Sequence, residues 1–246
     1  MKPFEHAERT SMKDEKVKNT PGLISVVVPI HTILPEFPQM RAAIQSATTP
    51  FEVLLVIHET LESVIGPTMP HEKIIITSKT GRGQALAEGA KEATGDIIIF
   101  VHADTILPKN WDRTVIEALA DETVIGGGFS LAMDETNAYL KFLIALSDFL
   151  FHFVHELWGD RALFVRSSFV KQHIAEIEIP MMEDVRLTAM MKKKGRVVLL
   201  KEKVITSAAT FRKYGLFRNT IRILLVRLWY GAGRDPQKIY EYYYDR

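Results

Sequence analysis

The sequence predicts an α/β fold with a mostly parallel central sheet flanked by helices. Runs of continuous apolar residues, such as ISVVVPI at 24–30 and FEVLLVI at 51–57, are typical of strands that are buried on both faces. These runs alternate with segments of helical period, which is the pattern of βαβ units. The length of 246 residues fits one large domain, and a hydrophobic content of 47% is sufficient for a core.

In the first half, strands and helices are expected to alternate. Pro50 ends the first predicted helix and Gly95 ends the second, since neither residue favours continuation of a helix. The predicted strands are 24–30, 51–57, 73–77 and 97–101, and the predicted helices are 36–47 and 83–94.

The second half has a different pattern. Three glycines in VIGGGFSLAM, at 124–133, permit a bulge or a close approach of backbones. The apolar stretch at 139–154 is interrupted by Lys141, Asp148 and His152 and is shorter than the roughly 20 residues of a membrane span, so it predicts a buried or surface-docking helix. The other predicted elements are helices at 111–120 and 183–194, strands at 162–166 and 196–200, and a basic, aromatic helix at the end of the chain.

Composition excludes several classes of function. The net charge of +1 gives no electrostatic footprint for nucleic-acid binding, so we expect no nucleic-acid partner. The lack of cysteine excludes disulfides, thiolate metal sites and cysteine nucleophiles, and it fits a cytoplasmic location. Residues 1–20 are charged and are expected to form a mobile leader before a single domain at 21–246.

His102 and Asp104 follow the apolar run IIIFV. If the strand continues through them, alternate residues share a face, and both side chains point the same way. In open α/β sheets, ligands bind outside the carboxyl ends of the strands, and a carboxylate there suits Mg²⁺ or Mn²⁺. The alternative is that Asp104 only caps the turn before Pro108.

Glu183 and Asp184 begin the helix predicted at 183–194, just after Pro180. Acids in a first helical turn are favoured by the helix dipole, which is the structural alternative. The two methionines before them suggest the edge of a pocket, where a carboxylate becomes a general base.

Two further segments suggest ligand contacts. Arg82 lies in TGRGQ at the start of a predicted helix, which is a reasonable phosphate site, although Leu86 breaks the dinucleotide-binding glycine pattern. Trp158 and Asp160 lie in WGDR, where the indole would stack on a sugar ring and the carboxylate would bind its hydroxyls. The alternative there is a buried tryptophan beside a turn.

Taken in order, these segments resemble family 2 glycosyltransferases of the GT-A fold, and in particular the small bacterial subgroup of radical-SAM/selenodomain-associated transferases 2. The resemblance covers about residues 23–245, and the order and spacing of the HADT and MEDV blocks make it specific. The matching segments are ISVVVPI, GRGQALAEGAKEATGDIIIFVHADT, WGDRALFVRSSF, IPMMEDVRL and RLWYGAGRDPQKIYEYY.

The resemblance implies metal-dependent, inverting transfer of a sugar from a nucleotide-diphosphate donor to an unknown acceptor. It implies that Asp104 binds Mn²⁺ or Mg²⁺ as the last acid of a D-x-D motif. His102 replaces the first acid of that motif in this chain. Of the catalytic pair Glu183 and Asp184, it makes Asp184 the likelier base. The donor-binding residues it implies are Pro29, Glu59, Arg82, Gly83, His102 and Asp104, and the acceptor-binding residues are Trp158, Asp160 and Arg212. It also implies a donor-binding half at 21–108 and an acceptor half at 109–246.

The chain departs from the family pattern on the donor side. Ile57 stands where an acid usually contacts the nucleobase, with Glu59 as a substitute, and Gln84 and Ala87 replace residues typical of the subgroup. These departures motivate one alternative, a non-catalytic protein that binds nucleotides or sugars. A nucleotidyltransferase is a further alternative, but PIHTILPEF lacks the glycine-rich loop that such enzymes place after their first strand.

The segment 211–234 mixes arginine and lysine with leucine, isoleucine, tryptophan and tyrosine. This composition suits an interfacial helix at the inner face of the membrane, or one that contacts a lipid-linked acceptor. The sequence favours the alternative, a C-terminal helix that packs on the sheet with its basic face in water.

Overall fold

The computed structural model describes residues 22–63, 65–135 and 137–244, so the leader predicted at 1–20 lies outside the described residues. Within them, seven strands form one sheet in the order β3-β2-β1-β4-β6-β5-β7. The strands are β1 Ile24–Ile30, β2 Phe51–His58, β3 Glu72–Thr77, β4 Ile97–Phe100, β5 Val124–Met133, β6 Phe164–Arg166 and β7 Arg196–Thr206. The helices are α1 Phe37–Ile44, α2 Arg82–Glu92, α3 Trp111–Leu119, α4 Ala138–Val154, α5 Ser167–Gln172, α6 Ile174–Ile177, α7 Glu183–Lys194, α8 Ala209–Tyr214, α9 Leu216–Gly231 and α10 Pro236–Tyr244.

β1 lies in the parallel part of the sheet and is buried along its whole length. It pairs in parallel with β2 and β4, and β2 pairs in parallel with β3. Val26 and Val28 pack into the core that contains α1, whereas Val27 packs into the core that contains α2 on the other face. Both faces of this part of the sheet are therefore covered, which explains why its strands are continuous apolar runs.

The C-terminal part of the sheet is mixed. β6 is antiparallel to both β4 and β5, and β5 is parallel to β7. In β5 the register shifts between Val124 and Gly126, and a Cβ on Gly126 or Gly127 would lie only 2.4 Å from the Phe164 carbonyl or 2.3 Å from the Val198 carbonyl. The glycines of β5 therefore occur where the register is irregular and where two backbones approach closely, as predicted. The strand order as a whole confirms the predicted mostly parallel sheet flanked by helices.

Apart from shifts of a few residues at element ends, three predictions differ from the structure. β4 ends at Phe100, and a turn follows in which the Thr105 N–H donates to the His102 carbonyl, so the prediction that His102 and Asp104 share a strand face is wrong. β7 extends six residues beyond the predicted 196–200 because it continues alongside β5 as far as Thr206. The single helix predicted at the chain end is interrupted at Gly215, whose φ of 83° ends α8, and again before α10.

Among the described residues, no helix combines the length and the apolar character needed to cross a bilayer. α4, the apolar stretch of the sequence, buries Leu140 and Phe151 and leaves several large apolar side chains exposed. It is therefore a surface helix, in agreement with the docking alternative of its prediction.

Candidate active site

A cavity of about 490 Å³ lies at the carboxyl ends of β1 and β4. The loops after these strands, the first residue of α2, the start of α7 and the helices α8 to α10 form its walls. Its position is the one expected for a ligand site in an open α/β sheet. The residues predicted from the sequence that line it are Pro29, Arg82, His102, Asp104, Trp158, Asp160 and Asp184.

Asp184 is held in a fixed orientation in the first turn of α7. Its Oδ2 accepts hydrogen bonds from the Gly159 N–H at 2.7 Å and from Arg82 Nη2 at 3.2 Å. Its Oδ1 accepts from the Val185 N–H at 2.7 Å. Met182, which lies just before the first residue of α7, has a left-handed φ of 69°, a conformation that is costly for a non-glycine residue and that often marks functional sites.

Arg82 connects α2 to both acids at the start of α7. Its guanidinium forms ion pairs with Glu183 and, at 3.2 Å, with Asp184. Burial alone would lower the pKa of Arg82, but these two carboxylates outweigh it and hold that pKa well above its usual value. The Arg82 N–H also donates to the Pro180 carbonyl, so the first turn of α2 is fixed directly to the loop before α7.

Glu183 and Gly83 lie behind the wall of this cavity. A Cβ on Gly83 would lie 2.3 Å from the Ile179 carbonyl, so this glycine allows α2 to pack against that loop. The Glu183 side chain is buried, and its Oε2 has no hydrogen-bond partner among the described residues. Burial and the neighbouring Asp184 raise the pKa of Glu183 despite the opposing effect of Arg82.

His102 forms part of the cavity wall next to Gly159. Its Nε2 is buried and has no hydrogen-bond partner among the residues that the structure describes. A Cβ on Gly159 would lie 2.9 Å from this nitrogen, so glycine is needed for the close approach. Burial, with the charge of Arg82 and the proximity of His31, holds the pKa of His102 well below its usual value, and the imidazole is neutral at neutral pH.

Asp104 and Asp160 bring two carboxylates to the same cavity from distant parts of the chain. Burial raises the pKa of Asp104, and the neighbouring Asp160 raises it further. Burial also raises the pKa of Asp160, whose Oδ1 has no hydrogen-bond partner within the described ranges.

Asp104 and Asp160 are the carboxylates in this cavity that could hold a divalent metal ion. The described residues contain no group of three or more histidine or acidic side chains arranged to hold a metal ion. Mg²⁺ is commonly held by one or two carboxylates together with substrate phosphates, however, and the buried, unpartnered oxygen of Asp160 beside Asp104 fits that donor set. The metal ion itself stays a prediction.

Two predicted site residues lie away from the cavity. Glu59 is exposed at the start of a short 3₁₀ helix that follows β2. Arg212 is exposed on α8, where it pairs with Asp134 at 3.3 Å and with Glu135 at 3.6 Å. Neither side chain lines the cavity.

Several lining residues were not predicted. His31 and Thr32 directly follow β1, so the strand-end argument that selected Asp104 would have found them as well. Asn219, Arg227 and the C-terminal tyrosines are brought in only by the packing of α9 and α10, and no local pattern in the sequence indicates this packing. The polar and aromatic residues among these additional lining residues include His31, Thr32, Asn219, Arg227, Tyr243 and Tyr244.

Comparisons with known proteins give a family match for part of the chain and a match in fold. The family model described as glycosyl transferase family 2 matches residues 58–171, a segment that includes Asp104 and Asp160 but ends before Asp184. A comparison with curated proteins found no match. Neither result identifies the radical-SAM-associated subgroup, which stays a prediction.

Solved structures of S. aureus TarS share the fold. One crystal structure of TarS has a TM-score of 0.56 and 14% identity, over 84% of this chain and 39% of that chain. TarS 1-349 in complex with UDP has a TM-score of 0.56 and 14% identity, over 75% of this chain and 60% of that chain. The complex of TarS 1-349 with UDP-GlcNAc has a TM-score of 0.55 and 15% identity, over 75% of this chain and 58% of that chain. The present chain spans less than two thirds of the length of each of these TarS chains. The family match covers residues 58–171, which is less than half of the chain, and the similarity to TarS shows a shared fold of the GT-A type.

Proposed function

We propose that this protein transfers a sugar, with inversion, from a nucleotide-diphosphate donor to an acceptor hydroxyl. The observation that carries the proposal is the constrained carboxylate of Asp184 in the same strand-end cavity as Asp104 and Arg82. The donor half comprises residues 21–108 and the acceptor half residues 109–246. Pro29, Arg82 and Asp104 come from the first of these halves and Asp184 from the second.

On the donor side, Asp104 and Asp160 would hold Mn²⁺ or Mg²⁺, which when bound neutralises charge on the leaving nucleoside diphosphate. Arg82 uses one N–H for Glu183 and one for Asp184, and a guanidinium has five, so N–H groups remain for a phosphate oxygen. His102 is neutral and offers its unpartnered Nε2 to a polar group of the donor.

On the acceptor side, Asp184 acts as the general base. It takes the proton of the acceptor hydroxyl as that oxygen attacks the anomeric carbon from the face opposite the diphosphate. A new carbon–oxygen bond to the acceptor forms while the bond from the anomeric carbon to the phosphate oxygen breaks. The products are the glycosylated acceptor, the nucleoside diphosphate and protonated Asp184, which then releases its proton to water.

UDP-sugars are the first donors to test because the TarS neighbour has been crystallised with UDP-GlcNAc. Slow hydrolysis of UDP-, GDP- and dTDP-sugars, with and without Mn²⁺, requires no known acceptor. We expect one donor class to be hydrolysed in a metal-dependent way and Asp104→Ala to lose that dependence. Unchanged metal-dependent binding in Asp104→Ala would exclude the metal assignment, and binding of every donor without any turnover would favour the non-catalytic alternative.

We also propose that the enzyme is cytoplasmic and contacts the inner face of the membrane through residues 211–234. α9 exposes Phe217, Ile221 and Leu228 at helical spacing, with the exposed cation Arg218 beside them. Exposed apolar side chains on this helix favour the interfacial interpretation over a helix whose outer face is purely basic.

A further inference from the structure

A second cavity, of about 310 Å³, lies between α4 and α9, next to the candidate active site. Its volume is within the range of sites that bind small molecules. Most of the side chains that line it are apolar, and α4, α9 and β5 supply them. They include Leu131, Leu143, Leu150, Phe151, Val154 and Leu224.

This apolar cavity adjoins the candidate active site. Met133, Trp158, Asp160, Phe211 and Ile223 line both cavities. One end of the apolar space therefore lies beside a carboxylate of the active site, and the rest extends away from it between the two helices.

Except for Asp160, which also lines the candidate active site, the charged groups at the edge of the apolar cavity already have partners. Arg161 is almost fully buried, and its guanidinium contacts Asp148 at 2.7 Å and Ser147 Oγ at 2.8 Å. Glu156 is paired with Arg227 through two hydrogen bonds. Because these charges are compensated, the cavity presents hydrocarbon and little else to a ligand.

The cavity opens at the protein surface between exposed apolar side chains. Leu146, Leu150, Val154 and Leu224, which line it, are 39–51% exposed. Each helix also carries an apolar stripe with the spacing i, i+4, i+7, i+11, a concentration that usually marks an interaction surface. The stripes are Phe142, Leu146, Phe149 and Phe153 on α4, and Phe217, Ile221, Leu224 and Leu228 on α9.

We propose that the cavity between α4 and α9 binds the hydrocarbon chain of an amphiphilic acceptor, whose polar head enters the active site past Asp160 and brings the accepting hydroxyl to the proposed base Asp184. This inference rests on the proposed glycosyl transfer. The continuity of an apolar recess with a polar catalytic cavity matches a ligand that is apolar at one end and polar at the other. A protein segment would instead need hydrogen-bond partners for its backbone, which this lining does not offer.

The test uses alkyl glucosides of increasing chain length, hexyl, octyl and decyl, each below its micelle-forming concentration, with calorimetry on the full chain. We expect affinity to rise about fourfold for each added methylene, as for hydrocarbon moved out of water, and free glucose not to bind at the same concentrations. Affinity that does not depend on chain length would overturn the proposal.

A pair of matched variants tests the location. Leu150→Trp adds bulk inside the cavity, whereas Leu228→Trp makes the same change at an exposed position of α9 that does not line it. We expect Leu150→Trp to abolish the chain-length dependence and Leu228→Trp to keep it. Equal losses in both variants would indicate non-specific adsorption and refute the site. If Leu150→Trp does not fold, Leu224→Trp takes its place. The chain-length series on the wild-type protein tests the proposal without either variant.

The binding of UDP, measured with the same proteins, separates this inference from the proposed function. Chain-dependent binding without any nucleotide binding would refute glycosyl transfer and retain an apolar ligand site. Nucleotide binding and donor hydrolysis without chain-dependent binding would refute the amphiphilic acceptor alone. If octyl glucoside instead dissociates a dimer in light scattering, a second copy of the chain covers this face, and the proposal fails.

Discussion

At the scale of single residues, Arg82 separates two adjacent acids into different environments. Glu183 points away from the cavity into a buried ion pair, while Asp184 faces the cavity and is oriented by Gly159. Both acids are candidates in the sequence, but of the two only Asp184 lines the cavity. We therefore interpret Glu183 as a positioning residue that acts through Arg82.

Asp184→Asn tests the proposed base. The amide keeps the shape of the side chain but cannot take a proton, so we expect transfer to fall by about 10²- to 10⁴-fold, the range typical of general base catalysis. Nucleotide binding, measured by calorimetry, should stay within about threefold, because the proposed base acts on the acceptor. Glu176→Gln, at an exposed acid outside the cavity, is the control and should leave the transfer rate unchanged. Transfer that survives in Asp184→Asn would remove this residue from the mechanism.

Arg82→Ala tests the buried ion pair. It leaves the buried Glu183 carboxylate without its cation, a change that typically costs about 3–5 kcal/mol of unfolding free energy. Lys79→Ala breaks comparable contacts with Glu88 and Glu178 at a more exposed position and should cost less than about 1 kcal/mol. Urea unfolding of both variants compares the two costs, and equal values would show that Arg82 has no special structural role.

At the scale of elements, Asp112 fixes the start of α3 to the loop after α1. Its Oδ2 accepts hydrogen bonds from the N–H groups of Thr48 and Thr49 at 2.7 and 2.8 Å, and from both hydroxyls. Burial acts to raise the pKa of Asp112, but these hydrogen bonds outweigh burial and lower it. A lowered pKa in the folded state stabilises the protein above the unfolded pKa, and this contribution is lost as the pH falls through the folded value.

Asp112→Asn should therefore lower the free energy of unfolding by about 1–3 kcal/mol at pH 7 and by less at pH 3, which lies below the ordinary pKa of 3.8, so that part of the contribution of the charge is already lost. Urea titrations at the two pH values measure the difference. Glu122→Gln, at an exposed acid nearby, should change neither value appreciably. A cost for Asp112→Asn that is the same at both pH values would mean that its charge does not contribute.

The strands of the parallel half could be predicted because two buried faces produce an unmistakable apolar run, as in β1 and β2. Boundaries in the second half could not. β7 continues through Lys201, Glu202 and Lys203, which no hydrophobic pattern marks as strand, because its pairing with β5 continues beyond them. His102 and Asp104 line the candidate cavity because a turn follows β4, and not because the two side chains share a strand face as predicted.

At the scale of the whole molecule, the candidate site depends on contacts between distant segments. The hydrogen bond between Arg82 and Glu183 joins residues that are 101 positions apart in the sequence, and the one between Gly159 and Asp184 joins residues 25 positions apart. Such contacts follow from strand order and helix packing, which local periodicity does not determine. Only the family resemblance therefore predicted that these residues form one site. Arg212 and Glu59, assigned by the same resemblance, lie outside the cavity because α8 and the loop after β2 carry them to the surface.

The orientation of the molecule at a membrane is the last prediction, and it depends on the exposed stripes of α4 and α9 with the cations Arg212, Lys213 and Arg218 close by. An apolar stripe flanked by cations favours anionic bilayers, and its electrostatic part weakens with salt. We expect the wild-type protein to float with phosphatidylglycerol vesicles, and a smaller fraction to float at about 0.5 M salt than at about 0.1 M salt. The double variant Phe217→Ser, Leu228→Ser should stay mostly in solution, because it removes two large apolar side chains from the stripe on α9. Ile76→Ser, which removes an exposed apolar side chain from β3 at the far edge of the sheet, should float like the wild type. Equal flotation of all three proteins would show that these helices do not face the bilayer, and the apolar cavity would then receive its acceptor from solution.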